Sequence, residues 1–163
     1  MVRVLPAFYN VSLRSGLAFS PSMSPSGENM TKLSTIEGIG PAFEEKLQNA
    51  GVGSCEALLE KGATSSGRDI IVSESGIDGS RILRFVNHAD LCRIKGVGGE
   101  FSELLEASGV DSVPELAQRN AENLAAKMAE VNDAKALVRV VPSAETIAGW
   151  VDQAKTLPKV VTH

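Results

Sequence analysis

The residues best placed to do chemistry are two glycine-apolar-glycine triplets, Gly38-Ile39-Gly40 and Gly96-Val97-Gly98. Glycine reaches backbone conformations closed to other residues and lets two helices approach closely. The apolar residue inside each triplet, Ile39 or Val97, is expected to plug the gap between those helices. The second glycine, Gly40 or Gly98, is expected to open a helix. The first N–H groups of a helix lack intrahelical partners and carry the positive end of its dipole. Such an end can hold a phosphate, which offers a grip on a nucleic-acid backbone without reading its sequence. Lys46 and Lys95 stand close to the triplets and complete the set of candidate phosphate or partner contacts.

The flanking residues point away from phosphate. Pro41-Ala42-Phe43-Glu44-Glu45 follows the first triplet and Gly99-Glu100-Phe101-Ser102-Glu103 follows the second. Carboxylates beside an anion seat repel the anion, and phosphate contacts supply most non-specific affinity. Lys32, Lys46 and Lys95 make only a thin basic patch. The preferred reading therefore has the turns as packing joints or protein-contact surfaces, with duplex backbone binding second.

Other constellations carry less. His88 and Cys92 are four apart on one expected helix, beside Asp90. A structural zinc site needs four ligands, and only Cys55 and His163 remain to supply them. Arg81, Arg84, Arg93 and Lys95 read as a solvated helix face. Gly-x-Gly without a preceding strand is not a dinucleotide site. No Ser/His/Asp, Cys/His or paired-carboxylate set has supporting context, so no catalysis, cofactor or metal is expected.

The elements that position the two triplets come from an internal repeat. At an offset of 58, Ile36, Gly38, Gly40, Phe43 and Leu47 fall on Ile94, Gly96, Gly98, Phe101 and Leu105. Gly51-Val52, Ser54 and Leu58 fall on Gly109-Val110, Ser112 and Leu116. Later, at an offset of 65, Ile82, Phe85, Val86 and Ala89 match Ile147, Trp150, Val151 and Ala154. Both sets have the i, i+3, i+4, i+7 spacing of one helix face. Trp150 is therefore a core residue, like Phe85.

Helices are predicted over 42–50, 54–61, 67–75 and 80–93 in the first half. The second half is predicted to hold 99–108, 112–119, 121–131, 133–140 and 144–156. Gly51 and Gly109 stand where a left-handed residue ends a helix. The helix from Ser80 is expected to run to Ile94 and serve both hairpins. Strands are nowhere signalled.

Composition agrees with helices. Hydrophobic residues are 43% of the 163 but aromatics only 4%, so the core must be Leu, Ile, Val and Ala, which favours helix packing. The net charge of −4 disfavours a protein that coats nucleic acid. No apolar run approaches the roughly 18 residues of a membrane span. Two cysteines without a secretory signal read as reduced thiols in a cytoplasmic protein, with a single disulfide as the alternative.

Residues 1–30 differ from the rest. They carry Arg3, Arg14 and one acid, Glu28, and end in a Ser/Pro/Gly stretch. A transit leader has that composition, and so does an upstream or expression-derived extension before Met30. The second is preferred, since clear periodicity begins only there. In either case a mobile arm is expected.

Leu33-Ser-Thr-Ile-Glu-Gly-Ile-Gly-Pro-Ala-Phe43, Val86-Asn-His-Ala-Asp-Leu91, Arg93-Ile-Lys-Gly-Val-Gly98, Val113-Pro-Glu-Leu-Ala-Gln-Arg-Asn120 and Leu157-Pro-Lys-Val-Val161 carry a likeness. Across nearly all of 31–163 the chain resembles a bacterial family of tandem helix-hairpin-helix proteins catalogued as a domain of unknown function. The resemblance implies a fold related to the SAM-like helix-hairpin-helix domains of DNA polymerases and repair proteins. It brings no catalytic residues.

The expectation is an all-α, pseudo-symmetric pair of helix-hairpin-helix repeats, 31–93 and 94–163. It is a non-enzymatic adaptor for a protein partner. The alternatives are a weak nucleic-acid backbone binder and an accessory subunit of a larger assembly.

Overall fold

The computed structural model describes residues 30–163. The arm expected over 1–30 lies, except for Met30, outside them. Eight α-helices and no strands occur among the described residues, which makes the unit Thr31–His163 all-helical. A single 3-10 turn, Leu33–Thr35, leads to α1 (Pro41–Asn49), α2 (Cys55–Lys61), α3 (Ser65–Ser75) and α4 (Gly79–Leu91). Then follow α5 (Gly99–Ala107), α6 (Val113–Ala117), α7 (Ala121–Lys135) and α8 (Ala144–Thr156).

Caps explain most of these boundaries. Ser54, Thr64, Asn120 and Ser143 each accept, through a side-chain oxygen, the N–H three residues on. Ser112 does the same for Glu115 at the start of α6. Each such cap is worth about 1 kcal/mol. Helices α1 and α5 end alike. The N–H of Val52 bonds the Leu47 carbonyl at 2.8 Å and that of Gly51 bonds Gln48 at 3.0 Å. Val110 to Leu105 and Gly109 to Glu106 repeat both distances. Gly51 and Gly109 take φ of 82° and 97°, the left-handed conformation that this double closure demands.

Several expected boundaries move: α3 begins at Ser65 and α6 ends at Ala117, and two further changes alter the helix pattern itself. Helices were expected over 121–131 and 133–140, but one helix runs from Ala121 to Lys135. Ala- and Lys-rich sequence without Gly or Pro sustains it past Asn132. It stops at Ala136, a non-glycine at φ 53°. Helix α4 stops at Leu91 rather than Ile94. Beyond it the N–H of Arg93 bonds Asp90 and that of Ile94 bonds Leu91. That is one tight turn, hydrogen-bonded as the N–H of Thr35 is to Lys32 and that of Ile36 to Leu33.

The apolar residues gather into two clusters. One spans Leu33 to Ala89 and includes Val161, and the other spans Leu91 to Ala154. Helix α4 packs on α2, α3 and α5, and from Phe85 onward every one of its residues is buried. It is the common wall of both clusters. The chain after α8 returns to the first. Val161 is buried there, and the buried Arg68 bonds the carbonyls of Gly62 and Thr162, each at 2.8 Å.

Candidate functional site

The two triplets adopt nearly one geometry. Gly38 and Gly96 both have φ 95°, which an L side chain rarely adopts. The N–H of Ile39 bonds the Ile36 carbonyl and that of Val97 bonds Ile94, each at 3.1 Å. Ile39 and Val97 are 4% and 5% exposed, so both apolar plugs are seated. Behind them aromatic pairs meet, Phe43 with Phe85 at 5.9 Å and Phe101 with Trp150 at 5.4 Å between centroids.

Gly40 and Gly98 are the N-caps of α1 and α5, and neither helix start receives a side-chain cap. Their φ of −89° and −102° suits any residue. No atom lies within 4 Å of where a Cβ would stand on either. Neither glycine is needed by the turn itself. What the missing side chain leaves is bare peptide, exposed at Gly40 and half-buried at Gly98, where it lines a hollow with Thr35 and Glu37.

The helix starts then diverge. Pro41 begins α1 and is exposed. Gly99 begins α5, and a Cβ on it would stand 2.0 Å from the Thr35 carbonyl oxygen and 3.3 Å from the Glu37 nitrogen. The backbone that leads into the first turn, Thr35 to Glu37, thus lies directly on the start of α5. Glycine here marks close backbone packing that the sequence reading did not detect. The available signal was Gly99 standing where the repeat has Pro41.

The expected lysines are both exposed. Lys46, in the last turn of α1, sits over the Phe43 ring at 5.9 Å, and the Arg81 guanidinium covers the same ring at 5.2 Å. Lys95 is held through its backbone. Its N–H donates to Gln153 Oε1 at 2.9 Å, and its carbonyl accepts from Gln153 Nε2 at 3.4 Å. Carboxylates accompany each helix start, with Glu44 and Glu45 on α1 and Glu100 and Glu103 on α5.

Arg81, Arg84, Arg93 and Lys95 do not share the expected solvated helix face, because α4 ends at Leu91 and Arg84 and Arg93 are both paired with carboxylates. Arg84 donates to Glu106 at 2.9 Å and Glu103 at 3.0 Å, across the α4–α5 contact. The Glu106 hydrogen bond, more than any other influence, holds its guanidinium charged. Arg93 donates to the fully buried Asp90 at 2.8 Å and to the Pro158 carbonyl at 2.9 Å. Asp90 also accepts the N–H of Val113 at 2.8 Å.

His88 and Cys92 do not share a ligand set. His88 is completely buried and its Nε2 lies 3.2 Å from Glu106 Oε1. Burial pushes its pKa down, overcoming the attraction of Glu106. Cys55 and Cys92 are both free thiols. They line one small cavity of about 50 Å³ with Glu56 and Arg93. Burial, with Cys92 a second cause, pushes the Cys55 thiol up to about 12, and burial raises Cys92 too. Thiols held protonated are poor nucleophiles. Among the described residues no three His, Cys, Asp or Glu side chains are grouped to hold a metal. No described helix is long and apolar enough to cross a membrane.

Neither a search of curated proteins nor a search of solved structures returns a match for this chain. The sequence profile of one family matches residues 37–157, from the first glycine turn to the end of α8. That stretch is most of the chain, and the protein belongs to the family described as Domain of unknown function (DUF4332).

Proposed function

We propose that the chain is a non-enzymatic adaptor whose two glycine turns are helix-hairpin-helix units of the SAM-like kind, arranged as a tandem pair and used to bind a protein partner. The observation that carries this reading is the bare peptide at Gly40 and Gly98. Both sit in ordinary backbone geometry with open space where a Cβ would be, so the room they leave opens to solvent at Gly40 and into a hollow at Gly98. Glutamates border both helix starts, and they favour a protein surface over a polyphosphate.

The test is affinity capture from native lysate with the full chain and with a Gly40→Leu/Gly98→Leu double variant. Because neither position needs glycine for folding, the variant is expected to keep its melting temperature and lose the partner. Repeated capture of nothing specific by the unaltered chain overturns the reading, as does equal capture by both chains.

A second reading rests on the first turn alone. There Gly40 is exposed, and Lys46 and Arg81 flank the Phe43 ring. A nucleic-acid backbone gripped at that end gives binding that falls steeply with salt and is lost in Gly40→Leu. A mobility assay with duplex DNA and RNA at low salt decides it, and no shift removes it.

A further inference from the structure

We propose that the groove between the second glycine turn and the loop after α7 is a docking site for an extended peptide of a partner protein. That peptide would carry a Lys or Arg next to an apolar side chain. The inference rests on the protein-binding reading above and gives it a place and a ligand chemistry.

Two hollows adjoin at Glu100 and Phe101, which line both. One, of about 400 Å³, is bounded by Thr35, Glu37 and the glycines of the second turn. The other, of about 380 Å³, is bounded by Val138, Arg139 and Val140. The backbone that leads into the first turn supplies part of one wall because it lies on Gly99.

The loop that forms the far wall is held in place. Ala136 ends α7 at φ 53°, a left-handed conformation that a side-chain-bearing residue adopts only at a cost. Asn132 offsets that cost by clasping Val138 twice. Its Nδ2 donates to the Val138 carbonyl at 3.0 Å, and its Oδ1 accepts the Val138 N–H at 2.9 Å. This fixed loop presents Val140 at 75% exposure, above Met30 and Ile70, the other large apolar residues exposed among the described residues. The clasp buries Val138 in the core, and two residues on it leaves Val140 in water beside Phe101 on the wall of the hollow.

The charges around the groove define the occupant. Glu37 lines the turn end and Glu100 stands where the hollows adjoin, and neither has an ion-pair partner among the described residues. Arg139 stands at the loop end. The groove is therefore acidic where it meets the turn, apolar at Phe101 and Val140, and cationic at its far end. A peptide with a basic residue toward Glu37 and Glu100 and an apolar residue on Phe101 and Val140 complements it in one direction only.

The test is selection of a displayed random-peptide library on the full chain. Winners are synthesised and titrated against the unaltered protein, Val140→Asp and Glu100→Lys. The expected winners pair Lys or Arg with a neighbouring Leu, Ile, Val or Phe. Their affinity is expected to fall about tenfold in each variant and to weaken with added salt. Val140 and Glu100 are exposed, so both variants are expected to melt like the parent. No enriched peptide, an acidic consensus, or affinity unchanged in both variants overturns the groove. Winners that ignore both groove variants but fail on Gly40→Leu/Gly98→Leu sink the groove and leave the adaptor reading standing. If no peptide is enriched, the lysate capture judges that reading separately.

Discussion

The first and second glycine turns share their torsions and hydrogen bonds but differ in what surrounds them, and the differences follow from chain order. The first turn is reached from a short 3-10 turn, and there the carbonyl of Thr31 accepts the N–H of Cys55 at 2.9 Å. The second is reached from a thirteen-residue helix, α4. The residue 58 after Thr31 is Ala89, inside α4, where backbone carbonyls are committed to the helix. The N–H of Val113, 58 after Cys55, is instead taken by the buried Asp90 carboxylate. A side chain has replaced a backbone acceptor because the helix consumed it. Pro41 against Gly99 is the second difference. The first helix start is open to solvent, and the second is covered at Gly99 by the backbone of Thr35 and Glu37.

The largest effect is expected from breaking the replaced acceptor. Asp90→Ala strands the Val113 N–H and leaves Arg93 without its carboxylate in a buried setting. Losing one partner of such a buried pair costs about 3–5 kcal/mol. The matching change in the first half, Lys32→Ala, removes an exposed side chain and should stay within about 0.5 kcal/mol. Urea midpoints of the two variants measure the contrast, and equal midpoints would show that Asp90 is not the substitute acceptor. Next comes Gly99→Ala. Its Cβ must displace the Thr35 carbonyl from 2.0 Å, an overpacking cost of about 2–3 kcal/mol. Pro41→Ala at the corresponding exposed position should cost less than about 1 kcal/mol. A thermal melt of both variants tests whether the two backbones really abut.

Much of this was legible before any coordinates. Leu, Ile and Val at helical spacing, Ser and Thr caps, and Gly51 and Gly109 marked most helices because those signals act within one turn of chain. Two local signals misled. Asn132 looked like a break, yet its side chain reaches forward to Val138 and clasps the loop that follows the helix. Leu91 to Ile94 kept the apolar pattern of α4 although the backbone had already turned. The burial of Asp90, the contact of Thr35 with Gly99 and the groove at Phe101 depend on residues far apart in sequence. Only the mismatch of Pro41 with Gly99 left a trace of them. The candidate glycines were thus readable as a pair, but not their unequal surroundings.

A smaller contrast lies in the first glycines. Gly38 and Gly96 have the same φ, so an alanine at either is strained by about 1–2 kcal/mol. Their neighbours differ. A Cβ at Gly38 meets Phe85 Cε1 at 3.5 Å, an ordinary contact, while one at Gly96 meets Trp150 Nε1 at 3.0 Å. Gly96→Ala is therefore expected to be the more destabilising by about 1 kcal/mol. Replacing Trp150 with Phe should reduce that excess by removing the indole N–H edge, and a double-mutant cycle would read it directly. An excess that persists in the Trp150→Phe background would assign the difference elsewhere.

The smallest expected effect is a dependence on pH. At an offset of 65, His88 corresponds to Gln153, and the two side chains have parted ways. Gln153 bonds the second turn through Lys95. His88 turns to Glu106, and its Nδ1 has no partner. With Glu106 as acceptor the proton sits on Nε2, so protonating Nδ1 would bury a donor without an acceptor, beside Arg84. Burial accordingly holds the folded pKa of His88 below its ordinary value of 6.5. The unfolded chain takes up that proton first as pH falls. The contribution of His88 to stability is thus complete above about pH 6.5. It declines through the interval between that value and the lower folded one, and is flat beyond it. Urea denaturation at about pH 7.5 and about pH 5.5 should show a loss that His88→Leu diminishes, because leucine fills the site without titrating. Glu103 and Glu106 also face this site and are present in both chains, so the difference between the two slopes isolates the imidazole. Identical slopes would mean that His88 keeps an ordinary pKa and that its unpaired Nδ1 is reached by water.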